Sequence, residues 1–170
     1  MNRSYATIGT LLAAVALCGV PAHVDARASD EAEIKALEQR FAAAFKAKDV
    51  KAIMACYVSD QSLVVFDVVP PRQYVGAQAY QKDFEEFFAT FPGPIEFELS
   101  DLSVTAEGKL GYGHSIQHTL LTDKEGKKFD LTVRVTDGYR KINGKWLIGH
   151  EHVSVPVDLA TGKADLTSKP

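Results

Sequence analysis

Four of the five histidines fall into two sets, His114 with His118 and His150 with His152. On an extended strand, residues two or four apart share a face. Each set therefore presents two imidazoles to one side, and imidazole is the commonest metal ligand. The two strands that would carry them are separated by a third, which at about 4.8 Å per strand leaves the sets roughly 10 Å apart. No carboxylate or cysteine stands at ligand spacing to complete either set, so the pattern predicts no metal and no cofactor. His114 and His118, in step with Tyr112, Ile116 and Leu120, read as polar residues of a pocket. His150 and His152 read as a structural or subunit-contact feature. Asp137 keeps step with Val133, Val135 and Tyr139 and so shares an apolar face. A carboxyl there is either an acid in a cavity wall or an acceptor beside Gly138 near a strand end. Arg134, with Thr132 and Thr136, belongs to the opposite face, where it is solvated, paired, set at a dimer contact, or binding an acidic ligand. Trp146 reads as packing. Cys56, beside Met54 and Tyr57, reads as a packed thiol rather than a nucleophile.

The elements that must position these groups follow from periodicity. Asp30 and Glu33 have the spacing of a helix N-cap and its reciprocating carboxylate. Ile34, Leu37, Phe41 and Phe45 then form one apolar stripe. Asp49 can cap a short helix whose inner face is Val50, Ile53, Met54 and Tyr57. Residues 62–69 are rich in β-branched side chains and end at Pro70-Pro71, which cannot continue a ladder. Residues 73–75 can return beside them. Gly76 opens a third helix with Tyr80, Phe84, Phe87, Phe88 and Phe91 on one side, stopped by Pro92-Gly93-Pro94. From Ile95 the period is two. Turns at Glu107-Gly108, at 123–126 and at Asn143-Gly144 divide the rest into four long strands, an antiparallel meander. The residues from Asp158 are small and polar and predict a loosely held tail.

The 170 residues are 46% hydrophobic and 24% charged, enough for one domain with a real core. A net charge of −3 gives no basic footprint for nucleic acid and little attraction to an anionic membrane. Arg3, the apolar run over 6–20 and the small residues at Ala26 and Ala28 have the order of a secretory signal peptide. The run is too short to span a bilayer, and the bulky Leu17 before Cys18 argues against lipid attachment. The expected organisation is a leader over 1–26, a domain over 29–157 and a tail over 158–170. The mature chain would be periplasmic or secreted. Cys56 would then be its only cysteine, so no internal disulfide could form.

Helix, short helix, strand pair, helix and four-strand meander is the element order of the nuclear transport factor 2-like superfamily. Residues 45–53, Phe-Lys-Ala-Lys-Asp-Val-Lys-Ala-Ile, resemble the joint between its first two helices. Residues 144–154, Gly-Lys-Trp-Leu-Ile-Gly-His-Glu-His-Val-Ser, resemble the closing strand of its SnoaL-like branch. They are also similar to the last strand of calcium/calmodulin-dependent protein kinase association domains. The resemblance implies an α+β fold: a cone-shaped roll of curved, mostly antiparallel sheet covered by three N-terminal helices. It covers about residues 30–157, and it does not fix chemistry, because this fold hosts enzymes and non-catalytic hubs alike.

Similarity to the ketosteroid isomerase branch implies site residues. Asp67, nine residues before Gly76, matches the base, and Asp137 matches the carboxyl kept protonated to donate a hydrogen bond. Phe41 stands where that enzyme carries a tyrosine. A phenyl ring donates nothing, which argues against steroid isomerisation by that route. Two such carboxyls in one apolar cavity would divide the work, the deeper one neutral and donating, the more solvated one ionised and accepting. Phe41, Tyr57, Phe84, Phe88, His114, His118 and Tyr139 are then the expected ligand contacts. The expected partner is a small hydrophobic or carbonyl-bearing ligand, in a homodimer. The expected activity is a cofactor-independent isomerase, cyclase or dehydratase. The alternative is a non-catalytic binding or oligomerisation module.

Overall fold

A helix with an apolar stripe buries it only by lying along another element. In the computed structural model, which describes residues 22–168, the stripe lies against the sheet. Helix α1 runs Ala22–Ala47 and buries Ile34, Leu37, Phe41 and Phe45. It begins well before the expected cap. Asp30 is inside the helix, where it accepts the Trp146 indole N–H at 3.1 Å and pairs with Lys141. Hydrogen bonds from Lys141 and then Trp146 hold its carboxyl below its ordinary range. Asp30 therefore ties the helix to the last hairpin instead of capping it. The leader expected over 1–26 falls mostly outside the described residues.

Helix α2, Val50–Met54, is capped as expected, Asp49 accepting from the Ala52 N–H at 2.9 Å. Strand β1 is Val64–Phe66, shorter than the expected 62–69, and β2 is Tyr74–Val75, antiparallel to it. Gly76 then turns the chain at φ 87°, its N–H bonded to Leu63 O at 2.8 Å. That left-handed φ strains any residue with a Cβ, so glycine is the residue suited to this turn. Helix α3, Ala77–Thr90, buries Tyr80, Phe84 and Phe88.

The meander is β3 (Glu96–Glu107), β4 (Leu110–Thr122), β5 (Lys128–Ile142) and β6 (Lys145–Ser154). A bulge between Ser100 and Ser103 bends β3, with Asp101 in the left-handed region at φ 52°. The six strands form one curved mixed sheet in the order β2-β1-β6-β5-β4-β3, antiparallel except where β1 runs parallel to β6. The helices cover one face and leave the other open. The tail departs from expectation. Val157 bridges to Ala164, and Leu166 O accepts the Thr132 N–H at 2.7 Å, so the tail extends the ladder along β5 past the end of β6.

Candidate functional site

Strand register decides which polar side chains reach the covered face. Asp137 on β5 stands directly across the ladder from Glu151 on β6. Both point inward, 2% and 4% exposed. Directly opposed side chains sit about 5 Å apart at Cβ, too close for both carboxyls to ionise in an apolar interior. A third acid, Glu38 of α1, is 1% exposed on the same side. Three tyrosines serve this cluster. Tyr57 and Tyr80 donate to the two oxygens of Glu151 at 2.7 and 2.6 Å, and Tyr139 donates to Glu38 at 2.9 Å. Asp137 Oδ1 has no partner among the described residues.

The proton affinities follow from this burial. Desolvation raises Glu151 to about 7, against the lowering effect of the Tyr80 and Tyr57 hydroxyls. Desolvation likewise raises Glu38 to about 7, offset in part by Tyr139. Burial, then the charges of Glu151 and Glu38, pushes Asp137 well above the ordinary range. The cluster holds shared protons near neutral pH, and its titration belongs to the group rather than to single residues.

Beside the cluster lies a cavity of about 280 Å³ between α3 and the sheet. Its wall is mostly apolar, with Phe41, Phe45, Phe84, Phe97, Leu121 and Val133 among its residues, and Glu151 and Asp67 open onto it. Asp67, just past β1, is half-buried. Its Oδ2 lies 3.5 Å from the Tyr80 hydroxyl and its Oδ1 takes the Val68 N–H. Burial raises its pKa, while the Val68 N–H favours its charged form. Asp67 and Glu151 thus meet at one hydroxyl on the cavity wall. From β2, Tyr74 donates to Asp83 of α3 at 2.6 Å, and Asp83 and Glu86 of α3 complete that side of the wall. Among the described residues, no three metal-ligating side chains converge. Cys56 is buried, and burial pushes its thiol up to about 11, so it holds its proton.

The expected contacts divide. Phe41, Phe84 and Asp67 line the cavity; Tyr57, Phe88, Tyr139 and Asp137 do not. Phe88 packs in the core, Tyr57 and Tyr139 serve the acids, and Asp137 lies behind Glu151. His114 and His118 are on the opposite face, His114 exposed and His118 paired with Asp130 at 2.9 Å. The reason is an inverted pattern on β4. Gly113, Ser115, Gln117 and Thr119 face inward, Gln117 and Thr119 onto the cavity and Gly113 under the Tyr139 hydroxyl. A Cβ on Gly113 would lie 3.0 Å from the Tyr139 hydroxyl. Ile116 and Leu120 are left half-buried on the outer side. His150 and His152 also point outward, where Phe66 packs edge-on against both and His150 Nδ1 bonds Val64 O at 2.8 Å.

Glu38 and Glu151 are the residues that sequence reasoning missed. Glu38 was detectable as a charge falling within the α1 stripe, four residues after Ile34 and three before Phe41. Glu151 was hidden by a bulge. Gly138 pairs with His150 but Tyr139 with Ile148, so Gly149 is extra and flips the phase of β6. Trp146, Ile148 and Glu151 all point inward as a result.

A profile of the SnoaL-like domain matches residues 34–158. Among solved structures, an NTF2-like protein of unknown function from Pseudomonas putida is 35% identical. It aligns over 84% of this chain and 98% of its own, with a TM-score of 0.76. A Xanthomonas campestris protein, provisionally described as a calcium/calmodulin dependent protein kinase II association domain, is 26% identical. It covers 72% of this chain and 84% of its own, with a TM-score of 0.62. A protein from Novosphingobium aromaticivorans, provisionally described as a scytalone dehydratase, shares the fold at a TM-score of 0.70. It is 15% identical and covers 79% of this chain and 89% of its own. A comparison with curated proteins finds no match.

Proposed function

We infer, from the premise that this chain belongs to the SnoaL-like family of the nuclear transport factor 2-like superfamily, that it binds a small hydrophobic molecule and moves a proton on it. The observation that carries this reading is the meeting of Asp67 and Glu151 at the Tyr80 hydroxyl, on the wall of an otherwise largely apolar cavity. Two carboxyls with different surroundings separate into acid and base. Glu151, deep and poised near 7, keeps a proton to donate. Asp67, less buried and held by a backbone N–H, accepts one.

A carbonyl compound fits this pair. Asp67 takes a proton from the carbon next to the carbonyl. The C–H electron pair becomes the enol double bond, and Glu151 delivers its proton to the carbonyl oxygen. Where the enol is conjugated with a double bond, Asp67 returns its proton to the far carbon while the enol gives its O–H proton back to Glu151, an isomerisation. Where a β-hydroxyl is present, it leaves as water with the Asp67 proton while the enol proton returns to Glu151, a dehydration. The fold itself decides none of this. The cavity, at the small end of the usual range for ligand sites, limits the guest to a compact molecule.

Solvent-deuterium exchange at carbons next to the carbonyl, followed by NMR over a panel of hydrophobic ketones, tests the proposal. The expected result is accelerated exchange, reduced at least about 100-fold in both Asp67→Asn and Glu151→Gln. Full exchange in both variants would overturn it. Binding without exchange in the unaltered protein would make the domain a binding module instead.

The leader motif supports export to the periplasm or beyond, which amino-terminal sequencing of the secreted chain would check. The open outer face of the sheet, carrying Arg134, His114 and His152, would be the pairing surface of a homodimer. Light scattering would test it.

A further inference from the structure

The cavity wall has a polar patch that the acid pair does not use. Resting on the reading above, we propose that the guest carries, besides its carbonyl, a neutral hydroxyl group that bonds Gln117 and Thr119 of β4. Both side chains line the cavity, and they are only 7% and 6% exposed. Their neighbours across the ladder offer them nothing. Leu99 and Val133 flank Gln117, and Phe97 and Leu131 flank Thr119, all four apolar. Among the described residues no side-chain hydrogen bond engages either one, whereas His118 between them, on the outer face, is paired with Asp130. A buried carboxamide without a partner costs stability, and a leucine would fill the same space without that cost. The pair therefore has its bonding capacity turned to whatever fills the hollow.

Register sets this patch apart from the acids. Gly113 shares a ladder row with Asp137 and Glu151, and Gln117 lies four residues farther along β4, roughly 14 Å of strand. A guest with its carbonyl at Asp67 and Glu151 thus meets Gln117 and Thr119 at its other end, with apolar wall such as Phe84 and Val133 between. The donor and acceptor inventory selects the group. Gln117 offers an acceptor oxygen and an N–H donor, and Thr119 a hydroxyl that does either. A hydroxyl can give to the one and take from the other. A second carbonyl or an ether only accepts and would leave Gln117 Oε1 with nothing. A carboxylate would be repelled by Asp67 and Asp83, and no lysine, arginine or histidine lines the cavity among the described residues. The compound is therefore a hydroxy ketone whose hydroxyl is remote from its carbonyl.

Calorimetric titration of the unaltered protein with benzylacetone, its para-hydroxy derivative and its para-methoxy derivative tests this. The three share one ketone and one ring and differ only in what the far end can give. The hydroxy compound should bind at least about ten-fold tighter than benzylacetone, and the ether, which only accepts, should gain none of that. In Gln117→Leu the preference for the hydroxy compound should fall below about two-fold, and in Thr119→Val it should fall part of the way. Both replacements put an apolar side chain of similar size at a buried position, and circular dichroism would confirm the fold. A hydroxy compound no tighter than benzylacetone, or a preference that survives Gln117→Leu, would overturn the hydroxyl assignment. Either result leaves the roles of Asp67 and Glu151 in place, since deuterium exchange on benzylacetone reads those separately. Binding by none of the three would remove the cavity reading too.

Discussion

Raising the pH through neutrality should destabilise this protein, by an amount set in large part by two glutamates. Glu38 and Glu151 titrate near 7 in the folded chain, against an ordinary value of 4.5. The folded state holds protons that the unfolded state has already released between those values. Stability is therefore greatest below about 4.5 as far as these groups are concerned, falls as pH rises through the window, and levels off above about 7. At about 1.36 kcal/mol per pH unit, one such group is worth about 3 kcal/mol. The two share a field with Asp137, so the pair contributes less than twice that figure.

The perturbation that isolates one of them is Glu151→Gln, which keeps the shape and removes the charge. It also leaves one tyrosine hydroxyl, of Tyr57 or Tyr80, without its acceptor, costing about 1 kcal/mol. At pH 8 the variant should be more stable by about 2 kcal/mol, and at pH 5 slightly less stable than the unaltered chain. Urea denaturation followed by Trp146 fluorescence at one-unit steps from pH 5 to pH 8 measures both curves. Two results would refute the reasoning: a flat or rising curve for the unaltered protein, or a variant that keeps the full slope.

Two further outcomes follow from the packing. Gly113→Ala places a methyl 3.0 Å from both Ser103 O and the Tyr139 hydroxyl, so it should cost about 1–3 kcal/mol in urea denaturation. Removing residues 158–170 unpairs the Thr132 N–H from Leu166 O and should lower stability by about 1 kcal/mol, leaving calorimetric ligand binding unchanged.

The sequence announced the scaffold through repetition: the α1 stripe, the turn residues spacing the meander, and the cap at Asp49 are local signals that burial reinforces. It was a poorer guide to the site, because sites depend on phase. Asp67, assigned through the isomerase resemblance, lines the cavity. Asp137 is inward with Val133, Val135 and Tyr139, as its period required, yet the glutamate across from it closes it off from the hollow. One extra residue at Gly149 turned Glu151 inward and His150 and His152 outward, and period-two reading cannot see a bulge before the partner strand is known. On β4 the polar side faces in and the apolar side out, the strand lining the cavity at Gln117 and Thr119 and making room for Tyr139 at Gly113. The wrong face for His114 and His118 follows from that inversion.

Phe41 gains its meaning from the same cluster. Its ring sits 6.1 Å from that of Tyr57 and 6.2 Å from that of Phe97, an apolar wall where the isomerase-like pattern would place a donor. Hydroxyls are not missing from this interior, but they are committed: Tyr57 and Tyr80 to Glu151, Tyr139 to Glu38. None is left free to stabilise a developing oxyanion. Of the carboxyls that line the cavity, Glu151 is the most deeply buried, raised by desolvation to about 7, and in its neutral form it has one O–H to give. Once ionised, the same group can only accept. The proposed proton transfer would need Glu151 and Asp67 to hold opposite protonation states, which the deeper burial of Glu151 and the Val68 N–H on Asp67 both favour.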